Sequence, residues 1–362
     1  MDCGRCCLVV RLAYALVLGV SSCDASVSCV GTDAELAVAL ASPATISEAS
    51  EIRIKTGTYH TPQGGWTMDV GYYSLSIVGG YDSVCSARTT AAETTVLDGN
   101  GSDPVLTLNA PVWINDPSVL LTVSGLTFQN GRTSSTQGSV AGGLKIGDPG
   151  PIYTGQVHVE GNIFRNNDSS GATDQFSAGA LSASTDADGL VVRNNVFVGN
   201  KGEYSGAVAL FSNNPIAVIN NTFVGNTANQ NQSADRTILS YWTFSGITVA
   251  NNIFWQNSVP DLNFDAMQGF GLGPQMSLVT NMFQTSAGVA KAEQGSLHLD
   301  PQFIAPQNWH LTYVSPMVDA GTIAAIPGLP TTDLDGNPRV DNGKVDIGAY
   351  ESSYIFVSNF DL

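Results

Sequence analysis

Asn195-Val196-Phe197, Asn221-Thr222-Phe223 and Asn252-Ile253-Phe254 are three of five copies of one phrase, an aliphatic strand running into Asn-x-Phe. The other two are Asn162-Ile163-Phe164 and Asn281-Met282-Phe283, and Leu126-Thr127-Phe128 keeps the Phe without the Asn. Successive Phe positions fall 36, 33, 26, 31 and 29 residues apart, so the chain returns to an equivalent place about every thirty residues.

Each phrase follows alternating residues such as Val157-His158-Val159 or Ile247-Thr248-Val249, a period of two that marks strands with one apolar face. A second set of small-residue strands lies between them: Gly142 to Ile146, Gly179 to Ala183 and Gly206 to Leu210. No periodic helical segment separates the units, which argues against βαβ folds. Strands that recur once per turn can pair with their own copies above and below. The fold expected is therefore all-β, a right-handed parallel β-helix. In that fold the Phe rings stack as an inward column. The Asn of each phrase stands at a corner, where it tolerates left-handed backbone angles and bonds its neighbour in a ladder.

Thr32-Asp33-Ala34-Glu35 is a capping box opening a short helix through Leu36, Val38 and Leu40, placed to plug the first coil. Arg5 and Arg11 ahead of the apolar run Leu12 to Val20 have the charge and length of an export signal, too short to span a bilayer. Cleavage near Ser22 or Ala25 competes with a lipobox, Val20-Ser21-Ser22-Cys23, which would make Cys23 a lipidated terminus. Cys3, Cys6 and Cys7 leave with the signal. In an oxidising compartment Cys29 and Cys85 are then the expected disulfide, with Cys23 unpaired or removed. The layout expected is a signal over 1–22, an N-terminal cap over 23–50, the β-helix over 51–300, a C-terminal coil and cap over 301–351, and a tail over 352–362. With 31 acidic residues against 14 Lys and Arg, net −17, the surface repels phosphate backbones, so nucleic acid is a poor partner.

The chain resembles bacterial secreted right-handed parallel β-helix proteins of the choice-of-anchor Q type. The segments that carry the likeness are Cys29-Val30-Gly31-Thr32, Gly57-Thr58-Tyr59, Gly79-Gly80-Tyr81 with Cys85, and the Asn-x-Phe coils. Its most specific part is C-terminal: Asp300-Pro301-Gln302-Phe303, Trp309-His310-Leu311, Ser315 to Gly321, Asp333 to Arg339, and Val345 to Glu351. The resemblance implies export and attachment or release at the cell surface, without an established activity. The Phe-x-x-Asn runs ending at Asn167, Asn200, Asn226 and Asn257 also resemble repeats of polymorphic outer-membrane adhesins. Ile355-Phe356 to Asp361 is similar to short tails on some exported proteins.

Many parallel β-helices act on polysaccharides, which makes residues that could carry such chemistry the first candidates. Arg53-Ile54-Lys55 and Val112 to Asp116 echo polygalacturonase and pectate-lyase phrases without the segments that would accompany them. Aligning coils on Asn-x-Phe places Thr122, His158, Val191, Ala217 and Thr248 in one outward column, with Ser124, Glu160, Arg193, Ile219 and Ala250 in the next. Glu160 and Arg193 then form an ion pair beside His158, either a surface pair or an acid/base cluster for a lyase or hydrolase. Asp333, Asp335, Asn337 and Asp341 alternate oxygen ligands around Gly336 like the start of a calcium loop, although the closing Glu is missing. Asp186 with Asp188 is a weaker calcium candidate, and Arg339 is expected to pair with Asp346 or Glu351. Tyr241, Trp242 and Trp255 are candidates for an aromatic binding strip, against the alternative that they belong to the core. No cofactor is required by these motifs, and calcium is the one ion with a candidate ligand set. A non-catalytic rod that binds a polysaccharide or cell-surface ligand is the first reading; a polysaccharide lyase or glycoside hydrolase is the second.

Overall fold

The computed structural model describes residues 26–352 apart from 43–47, 90, 111–115, 117, 137, 150–154, 187–188, 230–235, 266–270, 272 and 325–327. The signal segment, Cys23, Asp188 and the tail beyond Ser352 lie outside the described residues. The chain is a parallel β-helix built from three long sheets. Sheet 1 has ten strands, from Ser26–Val30 to Ala292–Gln294; sheet 2 has eight, from Trp66–Asp69 to Ser286–Ala287; sheet 3 has seven, from Gly57–His60 to Ile253–Trp255. Every pairing along these three sheets is parallel, each strand with its own counterpart in the next coil, for instance Gln156–Glu160 with Leu190–Arg193.

Alternation decides which side chains enter the core. Sheet 1 turns Val157, Val159, Leu190 and Val192 inward, sheet 2 turns Leu144, Leu181 and Val208 inward, and all are completely buried. Sheet 3 supplies the aromatic column: Phe128, Phe164, Phe197, Phe223 and Phe254 stack with centroids 4.9, 4.9, 4.7 and 4.4 Å apart and planes within 8°. That spacing is the strand repeat itself, so the backbone ladder dictates the stacking distance. Gly179, which opens a small-residue strand, has a steric reason: a Cβ there would lie 2.3 Å from the Gly206 carbonyl oxygen of the next coil.

The two roles expected of the corner Asn are divided between neighbouring residues. Left-handed backbone falls one position earlier, at Gly161, Asn194, Asn220, Asn251 and Thr280. The Asn of each phrase keeps ordinary angles and points inward into the ladder. Asn162 Nδ2 donates to Asn195 Oδ1 at 3.1 Å, Asn195 to Asn221 at 3.0 Å, Asn221 to Asn252 at 2.9 Å and Asn252 to Asn281 at 3.0 Å. A second ladder through Asn167, Asn200, Asn226 and Asn257 flanks the Phe column on its other side and ends on the buried Asp261, whose Oδ1 accepts from Asn257 at 2.8 Å.

At the N-terminal end the helix Asp33–Leu40 buries Leu36, Ala39 and Leu40 against the first coil. Thr32 caps it by accepting from the Glu35 amide at 3.2 Å, and Glu35 reaches back to the Gly31 amide at 2.7 Å. Val38, expected on the apolar face, is 72% exposed, because the inward stripe runs through Ala39. The expected disulfide joins Cys29 to Cys85. No helix among the described residues is long and apolar enough to cross a membrane.

The 301–351 segment, expected to close the rod as coil and cap, lies along its flank. Its residues bond to the corners of three successive coils. Asn251 Nδ2 donates to the Thr322 carbonyl at 2.9 Å, Asn220 Nδ2 to that of Asp346 at 3.1 Å and Asn194 Nδ2 to that of Thr332 at 2.5 Å. Leu334 then packs with Ile163 and Val196, while Met317 and Ile347 pack with Ile253 and Met282. Each of the doublets Asn194-Asn195, Asn220-Asn221 and Asn251-Asn252 thus uses its first Asn to grip this strap and its second to extend the internal ladder.

Candidate ligand-binding cleft

The outward columns of sheet 1 have the register expected of them: His158 pairs with Thr122 and Val191, and Glu160 with Ser124 and Arg193. Arg193 Nε and Nη2 both lie 2.6 Å from Glu160 Oε2, while Nη1 donates to the Gly328 carbonyl of the strap at 2.7 Å. The pair sits with Arg88, Ser124 and Asp333 around a small cavity of about 140 Å³. Burial holds the His158 imidazole below its ordinary pKa, and the Arg193 charge adds to this against the pull of Glu160. All three candidate residues share one face, and Arg193 spends its guanidinium fastening the strap to the coil.

Among the calcium candidates, Asp333 accepts from the Asn337 amide at 2.7 Å, from Asn337 Nδ2 at 3.1 Å and from the Glu351 amide at 2.9 Å. Asp335 faces His310, and Asp341 accepts from Asn342. N–H donors thus occupy oxygens that an ion would need. Among the described residues no group of three or more His, Cys, Asp or Glu converges on a metal position. Arg339 does pair with Glu351, at 2.7 Å.

The three aromatic candidates do not share a surface. Tyr241 alternates with Leu239, points into the core, and has its hydroxyl pKa pushed up to about 12 by burial. Trp242 faces outward from sheet 2, stacked on Phe211 at 4.4 Å with Phe244 edge-on at 4.4 Å. Trp255 faces outward from sheet 3 and packs against the apolar strap residues around Met317.

A larger cleft, about 650 Å³, lies where the outer face of sheet 3 meets the strap. Its floor is the position after each Phe. Gln129 Nε2 donates to Asp98 Oδ2 at 2.5 Å, and Arg165 Nε donates to Gln129 Oε1 at 2.6 Å, so one polar chain crosses three coils and fixes the Gln129 amide. Arg165 Nη1 and Nη2 have no partner among the described residues. Asn130 and Asn166, both left-handed corner residues, stand at the rim, and the exposed Glu93 comes from the turn Ala92–Thr94.

The aromatic wall comes from the strap. The antiparallel hairpin of Phe303–Ala305 and Asn308–Leu311 carries Trp309 and His310, with Trp309 edge-on to Phe303 at 5.4 Å. His310 stacks on Tyr350 at 3.9 Å. Its Nδ1 lies 2.6 Å from Asn308 Oδ1 and its Nε2 2.7 Å from Asp335 Oδ2. The Asp335 carboxylate raises the His310 pKa against the opposing effect of burial, and the wall is an imidazole lying on a tyrosine face.

The cleft therefore combines apolar ring faces with a fixed amide, a guanidinium offering two spare N–H arms, an exposed carboxylate and corner amides. Sequence reading missed Glu93, Gln129, Arg165, Trp309 and Tyr350 as site residues. A signal existed: column logic applied to the residue after each Phe gives Gln129, Arg165, Val198, Val224 and Trp255, a row whose polarity changes midway. Comparison with protein-family models and with curated proteins found no match for this chain.

Proposed function

We propose that this chain is an exported, non-catalytic rod that binds saccharide in the cleft between sheet 3 and the strap. The observation that carries the reading is that Trp309, His310 and Tyr350 line one cleft with Gln129, Arg165 and Glu93. Saccharides present C–H faces that rest on aromatic rings, and hydroxyl groups that give and accept hydrogen bonds at once. A cleft with rings on one side and both donors and acceptors on the other matches that chemistry. The acidic surface fits a ligand that is neutral or weakly charged better than a polyanion. Export is supported by the Cys29–Cys85 disulfide and the basic-apolar leader, and the cell-surface setting by the likeness to choice-of-anchor Q proteins.

The test is calorimetric titration of the purified mature chain with neutral and acidic oligosaccharides, run beside an assay for reducing-end release. Binding that disappears in Trp309→Ala and Arg165→Ala, with the unfolding midpoint kept, is the expected result. No binding across the panel would sink the reading, and release of reducing ends would replace the binder with an enzyme.

A further inference from the structure

Resting on that saccharide reading, we infer that the cleft takes the end of a polysaccharide chain and not its interior. The row of outward residues on sheet 3 runs in register through His60, Asp98, Gln129, Arg165, Val198, Val224 and Trp255. Its first four members are polar and its last three apolar. The change coincides with the edge of the strap: Val198 packs into the cluster of Leu334 and Tyr350 with Trp309, and Trp255 into that of Leu311, Met317 and Ile347. Val224, between them, is only 4% exposed.

The cleft is thus shut on the side of the later coils by a packed apolar wall. On the other side the polar row continues beyond the cleft lining to Asp98 and the exposed His60. Four rows at the strand spacing give a track of roughly 14 Å, the reach of a short oligosaccharide. A chain lying along the rod can leave toward His60. Toward Val198 it must stop, because passing would require lifting Trp309 and Tyr350 from buried contacts. A terminal sugar under Trp309, with the next units over Gln129, Asp98 and His60, satisfies both ends of the groove.

The experiment titrates the mature chain with linear oligosaccharides of two to six units from glucan, xylan and galactan series, and with size-fractionated polymers of the same linkages. Expected are an affinity that rises about tenfold over the first few units and then levels, and one protein bound per chain whatever the polymer length. His60→Ala should lose affinity for the longer oligosaccharides and leave the disaccharide unchanged. Stoichiometry that grows in proportion to polymer length would overturn chain-end binding and leave the saccharide reading standing. Failure of every saccharide to bind would overturn both.

Discussion

Arg339 Nη2 lies 2.6 Å from Asn194 Oδ1, a contact between residues 145 positions apart that ties the strap to the middle of the rod. The guanidinium also donates to the Gly348 carbonyl at 3.1 Å, the Ala349 carbonyl at 2.7 Å and Glu351 Oε1 at 2.7 Å, and the residue is completely buried. Burial alone disfavours the charge and holds the arginine pKa down; the carboxylates of Glu351 and Asp333 oppose this. Removing one partner of such a buried pair leaves the other uncompensated, which costs about 3–5 kcal/mol.

Arg339→Met is accordingly expected to release the strap before the solenoid unfolds. Limited proteolysis should cut between residues 301 and 352 in the variant at temperatures where the wild type resists, while strand signal persists in circular dichroism. A single cooperative loss of both would show that strap and rod are one unit.

The inward ladder predicts a graded response. Asn221 Oδ1 accepts from both the amide and Nδ2 of Asn195, at 2.9 and 3.0 Å, whereas the first ladder residue, Asn162, accepts from the Leu126 amide at 3.1 Å. A buried donor left without a partner costs about 1–3 kcal/mol. Asn221→Ala should therefore destabilise by about 3 kcal/mol, and by more than Asn162→Ala, in denaturant unfolding. Equal effects would mean that ladder position is immaterial.

His310 gives the pH dependence. Its pKa is raised in the folded state by Asp335, so its contribution to stability is full below the unfolded value of about 6.5 and is lost as pH rises through the folded value. The melting temperature of wild type should exceed that of Asp335→Asn most below about pH 6.5, with the gap narrowing as pH rises. A gap that stays constant across neutral pH would show that His310 is not charged.

Reduction tests the N-terminal end. Cys29 and Cys85 are 56 positions apart, a loop whose cross-link is worth about 4 kcal/mol on the chain-entropy model. A reductant should lower the melting temperature of wild type and leave Cys29→Ala/Cys85→Ala unaffected.

The solenoid was legible because its information is periodic. Asn-x-Phe gave the coil and alternation gave the faces. The register that follows put Glu160 beside Arg193, as observed. Tyr241 was equally readable, since Leu239 two positions earlier points inward. The strap was not, because its contacts obey no period: Leu334 meets Ile163, and Arg339 meets Asn194, through choices visible only once the coils are stacked. The doublets at 194, 220 and 251 carried a partial trace of it. A coil needs one Asn for its ladder, and a second beside it implies something outside to hold. The cleft was hidden for the same reason, since its floor belongs to the repeat and its wall to the strap.

Each coil presents the same acceptor to the coil before it and the same donors to the coil after it, so the stack by itself has no preferred height. The strap does. Thr322, Asp346 and Thr332 each accept from one particular corner Asn, and the Gly328 carbonyl accepts from Arg193. A duplicated or deleted coil between Asn194 and Asn251 would keep every rung of the ladder intact and throw all these fastenings out of step by one rise. The flank is a ruler cut to the rod, and coil number is set by measurement against it, not by the ladder.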